Sequence, residues 1–209
     1  MKLRLLMPVT ALFLALSVNS MAQTDRPDKL YSMSGIGFAL PVGESADYLK
    51  AKFSTSLGLN LGLGNSGLFL YPKLSLHAFQ FNQITPDMGY NYTIQKGRAT
   101  TYLMNVALGY RKIVEKWVFY GFAGAGGGFI LTPQAGVNPQ NLQVTMDNKT
   151  NSTGIIETGG GIEYNIGGAN LFAEVSYMYG FSKIQDRMFN TVPISIGIKP
   201  NLSKLLKKL

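Results

Sequence analysis

Few side chains in this chain can do chemistry. His77 is the only histidine and there is no cysteine, so a zinc site with two or more His or Cys ligands is excluded. The acidic residues do not cluster into an all-carboxylate metal site. One catalytic set fits the residue types: Ser75 and His77, two apart and on one face of an extended segment, with Glu157 as the carboxylate at similar depth. Such a set would hydrolyse an ester. The plainer reading is a buried hydrogen-bond pair, because Ser and His two apart are common in strands and a triad is defined by facing groups. The run GFAGAGGG (121–128) is not a phosphate loop, since no Lys-Ser/Thr follows it and no helix begins there.

The elements that carry these residues read as strands. In STSLGLNLGLGNSGLFLYPKLSL (54–76), leucines at 57, 59, 61 and 63 alternate with Ser, Gly and Asn, and the alternation resumes after Gly-Asn-Ser-Gly. Period two across a tight turn specifies a β-hairpin. The pattern recurs over 32–40, 53–63, 68–81, 99–112, 116–131, 153–166, 170–182 and 189–199. The connections alternate in length: 41–52, 82–98 and 132–152 are long, 64–67, 113–115 and 167–168 short, and 183–188 longer again. Long connections at one end and short ones at the other are the signature of a transmembrane barrel.

The two faces of the strands decide which side meets what. One carries Leu57, Leu59, Leu70, Leu74, Met104, Val106, Leu108, Val175, Ile194 and Ile196. The other carries Ser54, Ser56, Asn60, Lys73, Ser75, His77, Thr101, Asn105, Glu157, Glu163, Glu174 and several glycines. Only 14% of the residues are charged, against about 25% in a soluble domain. A soluble barrel would leave an outer surface of glycine and serine, too poor in charge to be solvated. Turned the other way, the apolar face meets lipid and the lumen holds small and polar groups. The expected fold is therefore all-β: an eight-stranded antiparallel transmembrane up-and-down barrel. Tyr110, Trp117, Phe119, Tyr164 and Phe172 are expected to form an aromatic girdle at the short-turn end, with Phe79, Phe81, Tyr102 and Phe181 near the opposite rim.

Residues 1–22 read as a cleavable secretory leader: Lys2 and Arg4, an apolar stretch from Val9 to Val18, then Ser-Met-Ala before Gln23. The barrel is expected over 23–199. Residues 200–209 read as a basic amphipathic tail, either resting on the periplasmic side of the membrane or frayed, since so short a segment does not hold a free helix. The formal charge of +8 falls to +6 once Lys2 and Arg4 leave with the leader. No basic run interleaved with aromatics accompanies it, so nucleic acid is not an expected partner.

The opening GIGFALPVGES and the strands YLMNVALGYRK, VFYGFAGAGGGF and LFAEVSYMYGF resemble the small outer-membrane β-barrel proteins of Bacteroidetes-type bacteria, the porin-like or PorT-like outer-membrane barrel-domain group. The resemblance spans nearly the whole chain after the leader. It implies a membrane barrel in the bacterial outer membrane and no particular reaction. The chain departs from many such barrels in following its last strand with PNLSKLLKKL, where they close on an aromatic residue.

Counted inward from the short turns, Asn60, Lys73, Glu163 and Glu174 come to a similar height on the inward face, with Arg111 just below. Charges in so narrow a space require partners. A lumen cluster of Lys73, Glu163 and Glu174, completed by Arg111 and Asn60, is the expected site; the alternative is that these side chains reach separate lumen waters and ignore each other. No catalytic, metal or cofactor residue is expected. The function read from the sequence is a non-enzymatic outer-membrane barrel, structural or surface-interacting through its long loops. Its partners are membrane lipid and an unidentified surface ligand or envelope protein, and it is read as a monomer. The alternatives are a narrow channel or carrier for small or hydrophobic solutes, and a lipid hydrolase.

Overall fold

The structure, a computed structural model, describes residues 30–86, 93–138, 140 and 143–203. The leader 1–22 and the tail positions 204–209 lie outside the described residues. Eight strands follow one another: β1 (Leu30–Pro41), β2 (Leu49–Leu63), β3 (Leu68–Phe81), β4 (Gly97–Val114), β5 (Trp117–Asn138), β6 (Gln143–Asn165), β7 (Ala169–Ile184) and β8 (Arg187–Pro200). Each pairs antiparallel with the next, and β8 returns to β1 from Ser34↔Ile198 to Pro41↔Thr191, closing the barrel. Closure removes the unpaired edges that hydrocarbon would not tolerate.

The period-two pattern sorts as the sequence implies. Met104 and Ile196 are each 60% exposed, and Leu57, Leu74, Leu108, Val175 and Ile194 stand outward with them. So large an apolar surface is untenable in water and is the band expected against lipid. On β4 the band runs between Tyr102 and Tyr110, both outward. Trp117 meets Tyr164 edge-on, with ring centroids 4.9 Å apart, at the short-turn end.

Three expected aromatics point the other way. Phe79, Phe81 and Phe172 are buried in the lumen, because they share parity with Lys73, His77 and Glu174 on their strands. Aromatic character alone suggests a rim position, and the pleat overrides it. Phe79, Phe81 and Phe189 belong to an apolar cluster near the long-connection end, with Tyr48, Leu49, Leu103, Ile130, Ile155 and Met178. A second cluster lies towards the short turns, with Phe69, Tyr71, Tyr120, Phe122 and Phe172.

Two connections differ from expectation. The predicted loop 132–152 is mostly strand: β5 and β6 stay in register from Thr132↔Lys149 to Asn138↔Gln143. Polar residues disguise this ribbon: residues 144–150 of β6 are exposed on both faces, so no buried apolar side sets an alternation there. The predicted connection 183–188 shrinks to Gln185 and Asp186, at φ +53 and +62, the geometry of a two-residue type I′ turn. Gln185 Oε1 accepts hydrogen bonds from the backbone N–H groups of Ile84 (2.7 Å) and Thr85 (3.2 Å), which ties this turn to the β3–β4 connection. The β1–β2 connection holds a short 3-10 turn, Gly43–Asp47, fastened to β8 by Ser45.

At the opposite end, Gly67 sits at φ +85, and a Cβ there would lie 2.5 Å from the carbonyl oxygen of Arg111. Only glycine lets the β2–β3 turn lie so close to β4. Of the expected tail, Pro200 ends β8, Asn201 donates its N–H to the Gly168 carbonyl (3.0 Å), and Ser203 Oγ accepts from the Leu30 N–H (2.9 Å).

Candidate functional site: the ion-paired lumen

Alternation places the inward charges, and the stagger between strands decides which of them meet. Lys73 on β3 stands opposite Asn105 on β4, and Asn105 opposite Gly126 on β5. Glu157 on β6 stands opposite Gly124, one pleat away. Because β5 carries no side chain at Gly124 or Gly126, Asn105 reaches past it and donates through Nδ2 to Glu157 Oε2. Lys73 Nζ lies 2.5 Å from Glu157 Oε1 and 3.3 Å from Glu174 Oε1. Ser176 Oγ donates to Glu157 Oε1 at 2.6 Å. Glu174 Oε2 accepts from the Tyr120 hydroxyl at 2.8 Å and the Tyr71 hydroxyl at 3.1 Å. Gly161 makes room for that phenol, since a Cβ there would lie 2.6 Å from the Tyr120 oxygen.

Glu163 does not join Lys73, contrary to the count from the turns. Its partners are Lys199 Nζ at 2.8 Å and Asn170 Nδ2 at 2.6 Å. Equal counts from the turns do not give equal heights in a barrel whose strands are tilted and staggered. Arg111 also stays apart from the carboxylates of that count. It donates through Nη1 to Asn60 Oδ1 at 3.2 Å and lies over the Tyr31 and Phe69 rings, at 5.4 Å and 5.9 Å. Lys199 is a member that the sequence reading missed. It shares inward parity with Ser195, and its ammonium lies 4.0 Å from the Tyr120 centroid and 4.9 Å from that of Phe172.

The buried charges among the described residues are Lys73, Arg111 and Lys199 against Glu157, Glu163 and Glu174. They balance. The carboxylates accept further hydrogen bonds from Asn105, Ser176, Tyr71, Tyr120 and Asn170, and Arg111 donates to Asn60, the kind of compensation that ions need when they leave water.

The hydrolytic set is not assembled. His77 Nδ1 lies 2.8 Å from Ser54 Oγ, so its partner is the serine of β2 and not Ser75. Glu157 is occupied by Lys73, Asn105 and Ser176. Among the described residues, no group of His, Cys, Asp and Glu could hold a metal ion.

No known protein family matches the sequence, and no curated protein does. Solved structures do match. Neisserial surface protein A superposes with a TM-score of 0.57 at 12% identity, covering 82% of this chain and 96% of that one. A major outer membrane protein from Thermus thermophilus gives 0.58 at 12% identity, over 82% and 98%. The fold is that of the eight-stranded outer-membrane barrels. In that fold the interior is just wide enough for its own side chains, and here the salt bridges and the aromatic clusters occupy it. The purified barrel, reconstituted in a planar bilayer, should give no steady open current of porin size. A large, stable unitary conductance would mean that the lumen is a water-filled path.

Proposed function

We propose that the chain is a non-catalytic barrel of the bacterial outer membrane, exported by its leader, whose working part is the β5–β6 ribbon on the cell surface. The membership in the Bacteroidetes-type small barrels read from the sequence belongs to the same proposal. The ribbon is the observation that carries it. β4 pairs with β5 only as far as Thr100↔Leu131, and β7 pairs with β6 only from Ile155↔Gly180. Beyond those points the ladder joins the two strands only to each other; Ser182 still binds Ser152 and Thr153 of β6 through side-chain hydrogen bonds, and past them each strand keeps one edge outside any ladder. Val144 and Met146 are 63% and 60% exposed on the ribbon, and they lie outside the apolar band that lipid would cover.

An open β-edge beside exposed apolar side chains suits the addition of an extended segment from another protein, with backbone hydrogen bonds supplying affinity and alternate side chains selectivity. The ion-paired lumen serves this role as a rigid base. Protease added to intact cells should cut within 132–150 and spare the 64–67 turn. Cleavage at 64–67 with the ribbon intact would reverse the orientation and end the proposal.

A further inference from the structure

The outer wall is not smooth. A groove of about 510 Å3 runs over β2 to β5, lined by Leu57, Leu74, Tyr102, Met104 and Phe129. A second hollow of about 390 Å3 continues it past Leu59 and Pro72 and shares Leu57, Leu74 and Met104 with the first. The depression has a local cause. Gly127 on β5 lines the groove on the outward face, so this strand presents bare backbone between the large side chains of Tyr102, Met104 and Phe129. Pro72 adds to it: the β2–β3 ladder passes from Gly58↔Lys73 to Leu61↔Leu70 without pairing Pro72, which has no N–H to donate.

Above this groove, towards the long connections, the wall changes character. Lys50 stands opposite Gln80 and Gln80 opposite Arg98, so the two cations share one row across β2, β3 and β4. Lys52 follows in the bulge between Ala51 and Phe53. All three are exposed, and among the described residues none of them enters an ion pair. Two strands apart, Lys50 and Arg98 are separated by roughly 10 Å, a span that two long side chains close around a single phosphate. Arg98 lies four residues above Tyr102, about 13 Å along the strand at 3.3 Å per residue. With the barrel tilt, that puts it about 10 Å above the edge of the apolar band, at headgroup depth.

We infer that this face holds one lipid with a phosphate-bearing headgroup from the leaflet on the long-connection side, its acyl chain in the groove and its phosphate on Lys50, Lys52 and Arg98. The inference rests on the membrane reading proposed above. Charge selects the occupant: a second copy of the chain packed symmetrically on this face would bring the same three cations against their equals, whereas an anionic lipid supplies both the missing charge and the chain.

The test uses the folded protein in a neutral detergent, with diphosphoryl lipid A and phosphatidylcholine as competing probes and native mass spectrometry as the readout. Wild type should retain one lipid A and discriminate against phosphatidylcholine. The variant with Lys50→Gln, Lys52→Gln and Arg98→Gln should lose lipid A about a hundredfold, because all three cations that face the phosphate are gone. Leu74→Trp, which fills the groove on a face that already accepts large side chains, should lose it as well with the cations intact. Equal retention of the two lipids by wild type overturns the inference without any variant, so a variant that fails to fold does not protect it. Unchanged lipid A retention in either folded variant overturns it too. The membrane reading fails separately, if wild type does not insert into bilayers at all.

Discussion

Lys73→Met should lower the stability of the folded barrel by about 3–5 kcal/mol in a denaturant titration in detergent, the cost of leaving buried charge without its partner. The ammonium lies within 3.3 Å of both Glu157 and Glu174, and its removal leaves two carboxylates facing one cavity. Combining it with Glu157→Gln should recover part of the loss, and the double-mutant cycle should show clear coupling. The same cycle run with Glu163→Gln should show coupling near zero, because Glu163 is held by Lys199 and Asn170. Additivity of Lys73→Met with Glu157→Gln would show that the two side chains do not hold each other, and the charged layer would then not be what orders the lumen.

The second large effect is expected at Gly126. A Cβ built there lies 2.0 Å from the carbonyl oxygen of Met104 and 2.5 Å from the Asn105 Cα. These are backbone atoms of the adjoining strand and cannot swing aside. Gly126→Val should therefore force β4 and β5 apart and crowd the space that Asn105 crosses to reach Glu157. The expected cost is about 3 kcal/mol or more, at the upper end of what overpacking does, seen as a lower unfolding midpoint or loss of the folded band on an unboiled gel. Gly168→Ala is the matched control: nothing lies within 4 Å of a Cβ at that position, and its midpoint should not move. Equal midpoints for Gly126→Val and wild type would mean that β4 and β5 do not need the close approach that glycine allows here.

Much of this was legible in the sequence, and the rest fails for identifiable reasons. Strand parity is a one-dimensional signal, so the outward Leu57, Met104 and Ile196 and the inward Lys73, Glu157 and Glu174 could be sorted from alternation alone. Phe79, Phe81 and Phe172 depart from the rim that aromatic type suggests because parity with Lys73, His77 and Glu174 turns them inward. Which inward charges touch depends on the stagger between strands, a property of the closed barrel that no single strand encodes. Hence Glu163 was assigned to Lys73 while Lys199, next to the strand-ending Pro200, went unnoticed. The glycine run of β5 carries no alternation of its own, so its phase follows only from pairing with β4, which puts Gly124, Gly126 and Gly128 opposite Ala107, Asn105 and Leu103 on the inward face.

The seam between β1 and β8 sets how the molecule can come into being. It joins Ser34 to Ile198, segments from the two ends of the described chain, so the last ladder to form is the one whose ends are furthest apart in sequence and slowest to meet. In water a half-built sheet can wait with its edges hydrated. In hydrocarbon it cannot, because each open edge leaves a row of N–H and C=O groups without partners. On the membrane reading proposed above, insertion and closure are coupled, and the two edge strands need cover until they find each other.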